Sequence, residues 1–534
     1  MEVERRAQST SETPARAPLV LLTLILVAAV ANLNLSVANV ALPEIGKDLD
    51  ASQTGLNLVA IGFSLGLATS VLYLGALGDR YGRKLMILLG LGLSIPACIA
   101  AAEANSVELL FFARLVGGVA AGMAFPTTLA LITALWAGGG RTKAIALWSG
   151  IGGAVAALGP LIAGALLEKF AWGSVFLVTL PLAVAAFGLA VWLVPSHVNE
   201  SVDPVDNLGG ILSVLMVAAV VMAVNFAPVE GEGTLAISFA LVGAAATVAF
   251  FVRQRRARSP LYDLDVAGRV IFWVAAVAGI IVFGSLMAAM FVGQQFLQNV
   301  LGYSTLEAGA AILPAAVLMV LVAPQSAKLV DNLGSRFTLL AGYASCFVAF
   351  AWMFVFWTEG ISYLHVFIAF GFLGIGVGLA GTPASHSLTG SVPRRRAGMA
   401  SATGDLQRDL GGAIMQSIFG ALLTAGYATT FSKAIAASPG GDKVSESTQS
   451  ALTKSFGSAE NVAERYPEYS TVIIDTARES FLSGQNWAYV AGMAAVALGA
   501  ALVFFKYPRR EREGELLALY AQEDTAETSP PASA

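Results

Sequence analysis

The stretch GDLQRDLGG, residues 404–412, sets two carboxylates, Asp405 and Asp409, one helical turn apart with Arg408 between them. At 100° per residue, with Asp405 at 0°, Arg408 falls at about −60°, Asp409 at about 40°, Gly412 at about −20° and Gln416 at about 20°. Leu406, Leu410, Ala413 and Ile414 fall on the other side. Such a face can do proton chemistry. Two like charges a turn apart disfavour being held at once, burial disfavours either, and the arginine favours the charged form of at least one. One proton of the set would then exchange near neutral pH. A static salt bridge that pins the helix uses the same residues, and spacing alone leaves both readings open.

The flanks of this stretch, AGMASAT and AIMQSIFGALLTAG, are apolar, and so is the chain: 56% of its residues are hydrophobic and only 12% charged, with a mean hydropathy of +0.73. A soluble protein carries about 25% charged residues. The composition is that of a polytopic membrane protein, in which a charged stripe has to face the bundle interior or a water-filled cavity. The formal net charge of −4 leaves no nucleic-acid footprint. Cys98 and Cys346 sit in apolar runs as small hydrophobes, so neither a disulfide framework nor a metal site is expected. No Walker lysine, H-E-x-x-H or cysteine–histidine cluster occurs, which leaves ATP and metal chemistry without support. GVGLAG (376–381) has the dinucleotide-loop spacing but lies inside an apolar span, where it reads as close helix packing.

A membrane-crossing helix takes about 20 mainly apolar residues. Candidates lie near 18–42, 54–77, 85–102, 107–132, 144–167 and 174–194, then 208–227 and 234–252, then 269–293, 304–326, 337–357, 362–387, 399–425 and 487–505. Fourteen spans put both termini on one side. With that side inside, 22 of the 31 basic residues are interior: Arg5, Arg6 and Arg16; Arg80, Arg83 and Lys84; Arg141 and Lys143; Arg253 to Arg269; Lys328 and Arg336; Arg394 to Arg396; and four after the last span. Short outside loops hold only Lys47 and Lys169, as the positive-inside rule requires. The expected division is a cytoplasmic tail 1–17, a six-helix bundle 18–194, an inserted pair with linkers 195–268, a second six-helix bundle 269–505 and a cytoplasmic tail 506–534. The second bundle carries an extracytoplasmic segment, 426–486, that could be a lid, a partner surface or a linker.

The inside loops after the second helix of each bundle agree. GALGDRYGRK (75–84) matches AKLVDNLGSR (327–336) at the leucine, aspartate, glycine and final basic positions, which implies two pseudo-symmetric halves. Asp79 stands where a helix restarts after a turn and can accept from free backbone N–H groups, while Arg80, Arg83 and Lys84 can pair with it; Asp331 and Arg336 are the second-half equivalents. Such charges form a latch or merely fix topology.

These stretches resemble the major facilitator superfamily. GALGDRYGRK is similar to its loop signature, RLVGGVAAG (114–122) to its fourth-helix signature, and GIGGAVAALGPLIAG (150–164) to the fifth-helix signature of its antiporters. NVALP (39–43), FLQNVLGYSTLEAGAAILP (296–314) and RDLGGAI (408–414) are similar to its fourteen-helix drug:proton antiporter branch. The resemblance implies the major facilitator fold in a bacterial cell membrane and export of a small amphipathic substrate by alternating access, driven by a proton gradient with no cofactor. A monomer is expected. It also implies that Arg114 sits beside the proton pathway, that Gly150, Gly159, Pro160 and Gly164 form the antiporter helix, and that the loop latch holds one state. Arg114 could instead be a structural arginine on backbone carbonyls, and the glycines could serve packing alone. The chain departs from the pattern in helix 1, where the usual acid is Asn34. An amide cannot take up and release a proton, so coupling is expected to move to Asp405, Asp409 and Arg408, with Asp405 first. Cavity candidates are Asn34, Asn39, Phe63, Met123, Met287, Met290, Gln294, Glu307 and Gln416. Two rival functions remain: export of a lipid or cell-envelope precursor, and a non-transporting sensor or membrane enzyme.

Overall fold

An apolar segment in lipid has no water to satisfy its backbone, so it closes its hydrogen bonds internally as helix. In the computed structural model, which describes residues 16–136, 138–196, 204–227, 229, 231–393, 397–438 and 444–528, every regular element is helical. The first half contains α1 (Ala17–Ser36), α2 (Ala38–Asp48), α3 (Gln53–Tyr81), α4 (Arg83–Ala102), α5 (Val107–Leu135), α6 (Gly138–Leu167), α7 (Ser174–Leu177) and α8 (Leu180–Leu193). The pair expected as an insertion corresponds to α9 (Asn207–Phe226) and α10 (Gly233–Arg256). The second half starts with α11 (Leu264–Ala267) and α12 (Val270–Gln295), which runs on as a π-helical turn, Phe296–Val300. Then come α13 (Thr305–Ala311), α14 (Leu313–Leu333), α15 (Ser335–Phe356), α16 (Tyr363–Gly390), α17 (Ala397–Ala437), α18 (Glu446–Lys454), α19 (Phe456–Arg465), α20 (Ser470–Lys506) and α21 (Arg510–Thr528).

Thirteen stretches among the described residues are long and apolar enough to cross a membrane. The fifth expected span is α6, 30 residues long. Side chains at several of its positions between 138 and 157 lie outside the described set, and its fully described apolar part, Leu158–Leu167, is too short to be counted. Serines start several helices by accepting an otherwise free N–H: Ser52 from Gly55 (3.0 Å) and Ser106 from Leu109 (3.2 Å).

The loop repeat read from sequence has a backbone counterpart. Gly82 (φ 116°) separates α3 from α4, and Gly334 (φ 87°) separates α14 from α15. Both glycines stand three residues after the matched aspartates, in a conformation that a side chain would strain. The face of the molecule bearing these two loops also bears the start of α1 and all of α21, and is called the terminal face below. Here α21 braces the second half. Arg269 at the start of α12 donates to both Asp524 oxygens (2.6 and 3.2 Å) and to the Ser391 carbonyl (2.7 Å), and Arg510 donates to the Asn332 carbonyl (2.6 Å).

The opposite, distal face differs from expectation. Residues 426–437 and 470–486 are not loop: they extend α17 and α20, which pack on each other beyond the expected spans. Thr430 donates to Ser483 (2.9 Å), and a Cβ at Gly426 would lie 2.5 Å from the Gly484 backbone. The segment between them, 438–469, is correspondingly shorter and carries α18 and α19.

Candidate functional site

The polar stripe lies on α17. Asp405 is about 12 Å and Asp409 about 18 Å along the axis from Ala397, at 1.5 Å per residue. Two contacts fix the rotation of this helix. Gln407 donates to the carbonyls of Ala275 (2.6 Å) and Ala276 (3.2 Å) on α12, and a Cβ at Gly411 would lie 2.4 Å from the Ile280 carbonyl. With the helix so placed, Asp405 and Asp409 are each only 5% exposed. Arg408 is not buried with them: its side chain is 44% exposed, eleven residues into a helix.

The three charges are unequally engaged. Arg408 Nη2 donates to Asp405 Oδ1 at 2.5 Å, while Asp409 makes no hydrogen bond or ion pair among the described residues. The Arg408 guanidinium also lies 5.8 Å from the Phe125 ring on α5, so it reaches from the second half to the first. Phe125 in turn packs on Trp148 (5.5 Å between centroids), whose Nε1 donates to Thr128 (3.0 Å). Phe125 and Trp148 escaped sequence reasoning because each lies in an apolar run that offers no contrast. The pairing of Arg408 with Asp405 agrees with helix geometry: residues three apart share a helix face, and adjacent ones do not.

Arg114 does not join this cluster. It sits on α5 eleven residues before Phe125, about 16 Å away along the axis. It is buried, donates from Nε to the Val59 carbonyl (2.7 Å) and from Nη1 to the Asn34 carbonyl (3.4 Å), and lies near the Phe63 (5.7 Å) and Phe176 (5.5 Å) rings. Its Nη2 has no partner, and no carboxylate faces it among the described residues. Asn34 is held in the same place: its amide donates to Val30 O (3.0 Å), and its Oδ1 accepts from Thr179 (3.3 Å) and weakly from the Cys98 thiol (3.7 Å). Asn34 and Phe63 line a cavity of about 20 Å³ inside the first half, room for a single water.

Other expected cavity residues scatter. Met287 packs against Gly412 and is half-buried, as are Met290 and Met123. Gln416 donates to Met287 O (3.4 Å), Gln294 to Ala308 O (2.8 Å), and Asn39 is buried in α2. Glu307 is exposed, and its carboxylate accepts from Ser304 N (2.9 Å) in a capping box at the start of α13, so its place is a helix cap and not a cavity wall.

The glycine-rich helix α6 makes two close approaches. A Cβ at Gly164 would lie 2.4 Å from the Thr305 carbonyl, and Pro160 O stands 2.3 Å from where Gly309 would carry one. Gly159 meets Ser36 on α1 in the same way. The surroundings of Gly150 lie outside the described residues. Of the latch residues, Asp79 accepts from Arg83 (2.9 Å), Arg83 donates also to Ala130 O (3.3 Å), and Lys84 donates to Val191 O (2.8 Å), all within the first half. Arg80 has an engagement of its own. Asp331 is exposed, and Arg336 turns away from it to the carbonyl and ring of Phe504.

On the distal face the two halves are joined. Gln53 donates to Gln295 (3.1 Å), Gln298 to Val40 O (2.9 Å), Asn57 to Thr424 (3.4 Å) and Thr305 to Gly164 O (3.1 Å). Residues 454–464 add a clasp onto the end of α2 and the loop after it. Lys454 pairs with Asp50 (2.7 Å), Lys47 with Glu464 (2.7 Å), Ser455 donates to Ala51 O (2.8 Å) and Asn461 to Lys47 O (3.0 Å). Burial works against the Asp50 charge, but hydrogen bonds from Lys454 and Ser458 outweigh it and hold the carboxyl below its ordinary value. The Glu464 hydrogen bond holds the Lys47 ammonium above its own.

Two halves joined distally, a charged mid-helix group exposed between them and matched glycine turns are the geometry of a rocking transporter. The family model of the Major Facilitator Superfamily matches residues 24–416. The chain belongs to the major facilitator superfamily. It is therefore a multi-pass membrane transporter and not an enzyme. Among its relatives, the multidrug efflux pump LfrA of Mycolicibacterium smegmatis is 31% identical, over 92% of this chain and 97% of the relative. The methyl viologen resistance protein SmvA of Salmonella typhimurium is 30% identical, over 92% and 99%. Multidrug resistance protein Stp of Mycobacterium tuberculosis is 32% identical, over 74% and 73%. Crystal structures of the same superfamily fold superpose over nearly the whole chain: a bacterial homologue of the human lysosomal transporter Spinster, inward-facing and unoccupied (TM-score 0.62, 16% identity, 96% and 98% covered), and the peptide transporter POT with sulfate (0.64, 15%, 96% and 99%).

Proposed function

We propose that this chain is a proton-coupled exporter of amphipathic, drug-like compounds, and that Asp409 carries the exchanged proton. The observation that carries this is Asp409 itself, a buried mid-helix acid without a partner among the described residues, beside an Asp405 that is paired with the exposed Arg408. The pair is internally neutral, so Asp409 is left to hold either a proton or a positive charge on the substrate. Asp405, first in order from the sequence, becomes the group that orients Arg408. The multidrug and methyl viologen resistance named for the relatives supports the substrate class, because viologens are planar cations. Residues 454–464 lie against the end of α2 and the loop after it, and give export of an envelope precursor no separate support.

The reading includes fourteen spans in the cell membrane, both termini inside, a six-plus-two-plus-six division, a monomer and no cofactor. Cysteine labelling of intact cells checks the topology: Arg256→Cys should react only from inside and Glu460→Cys only from outside. Reconstituted vesicles with an imposed proton gradient and a lipophilic cationic dye test coupling. Asp409→Asn should reduce uphill movement to the level of empty vesicles yet keep downhill exchange. Uphill transport by a folded Asp409→Asn protein would exclude Asp409 as the coupling site.

A further inference from the structure

The inserted pair carries a surface that the transport reading does not use. Helix α10 packs chiefly on α9 and turns the rest of its circumference outward. Taking Val248 as the reference, Ile237, Leu241, Phe251 and Val252 fall within about 60° of it at 100° per residue, and all five are exposed. They form one apolar stripe. A hydrocarbon core about 30 Å thick takes about 20 residues of helix, which carries α10 from Gly233 to Val252. The next residues are Arg253, Gln254, Arg255 and Arg256.

The arginines divide by direction. Arg253 and Gln254 turn inward, where Arg253 donates to Asp206 Oδ1 (3.0 Å) and Gln254 to Asp206 Oδ2 (3.3 Å). Arg255 continues the apolar stripe, and Arg256 stands about 80° from Val248. Both are exposed, as is Arg258, and none of the three makes a hydrogen bond or ion pair among the described residues. Of the described acids nearby along the chain, Asp206 is engaged as above, Asp263 accepts from the backbone N–H groups of Asp265 and Val266, and Asp265 is exposed without pairing to any of the three. The turn bearing Arg258 is held in place, since Tyr262 N donates to Gln254 Oε1 (3.0 Å). The result is a fixed group of unpaired guanidinium ions at the end of an apolar stripe, at headgroup depth.

We propose that this surface is a binding site for an anionic phospholipid, whose phosphate is held by Arg255, Arg256 and Arg258 and whose acyl chain lies along Ile237, Leu241, Val248 and Phe251. Guanidinium groups match a phosphodiester with paired hydrogen bonds, and the apolar stripe excludes a free anion as the preferred occupant. The site anchors the inserted pair at the membrane surface.

The test is native mass spectrometry of the purified full chain in mixed micelles of phosphatidylglycerol or phosphatidylcholine. The wild-type chain should retain phosphatidylglycerol preferentially, and Arg255→Gln/Arg256→Gln/Arg258→Gln should lose that preference by roughly fivefold per arginine. Arg509→Gln/Arg512→Gln, at another exposed basic cluster, should keep it. Equal retention of both lipids by the wild-type chain overturns the proposal, and needs no variant to fold. So does a triple variant that keeps the preference, or one that changes only from dimer to monomer, which would make this face a contact between two copies.

Discussion

Arg114 and Arg408 both stand well inside membrane-crossing helices, and they are opposites. Arg114 is 3% exposed and, among the described residues, donates to two backbone carbonyls and lies by two phenylalanine rings and the Cys98 thiol. Arg408 is exposed, pairs with one carboxylate and lies next in sequence to a second. No carboxylate faces the first among the described residues, where Asn34 stands in place of an acid. The second sits among carboxylates. A charge in a membrane protein therefore marks function by what it can exchange with, and burial alone does not separate the two cases.

The largest effect should come from Arg408→Met. Removing the guanidinium leaves Asp405 and Asp409 without a cation on a face where each charge costs several kcal/mol. Both acids then hold protons, and neither releases one. Vesicle transport should vanish even where thermal melting shows a folded protein. Arg114→Met should do much less. The carbonyls of Val59 and Asn34 each lose a donor, but no charge is stranded, so the expected cost is about 1–3 kcal/mol of stability, with transport retained. Melting and transport measured on both variants decide the matter, and the comparison fails if Arg114→Met proves the more damaging. A smaller effect separates the sites again. Asn34→Asp places a carboxylate beside Arg114, where the two charges satisfy each other; the double variant Asn34→Asp/Asp409→Asn should stay unable to move dye uphill. Rescue would show that the first-half site can take over coupling.

Most of the architecture was legible because lipid imposes it. Composition and 20-residue apolar runs fixed the class, and the matched loops 75–84 and 327–336 showed the repeat that Gly82 and Gly334 realise as matched turns. Less was legible where packing between distant segments decides. The extension of α17 to Ala437 and of α20 back to Ser470 depends on their mutual contact at Gly426 and Gly484, and neither segment alone signals it. Glu307 was a cavity candidate, yet Ser304 three residues earlier spelled a capping box. Spacing left Asp405 and Asp409 both within reach of Arg408; in the fold Arg408 pairs with Asp405, and Asp409 has no partner among the described residues.

The smallest effect belongs to the distal clasp, which tests whether the titrating chemistry is confined to α17. Asp50 and Lys454 are joined at 2.7 Å but partly exposed, so solvent screens them and the pair contributes at most about 1 kcal/mol. Because the Asp50 carboxyl is held below its ordinary value of 3.8, its contribution is complete above that value and is lost only as pH falls through the lower, folded one. Lys47, held above its ordinary value of 10.5, contributes fully below that value and is lost only as pH rises past the raised one. Neither group changes charge in the range where a cell operates. The distance between spin labels at Asn461 and Asp48 should therefore stay constant from about pH 5 to about pH 9, and Lys454→Ala should slow or speed turnover modestly without moving its pH profile. A clasp that opened near neutral pH in an Asp409→Asn background would place a second titrating site on the distal face, and the contrast between Arg114 and Arg408 would no longer account for coupling.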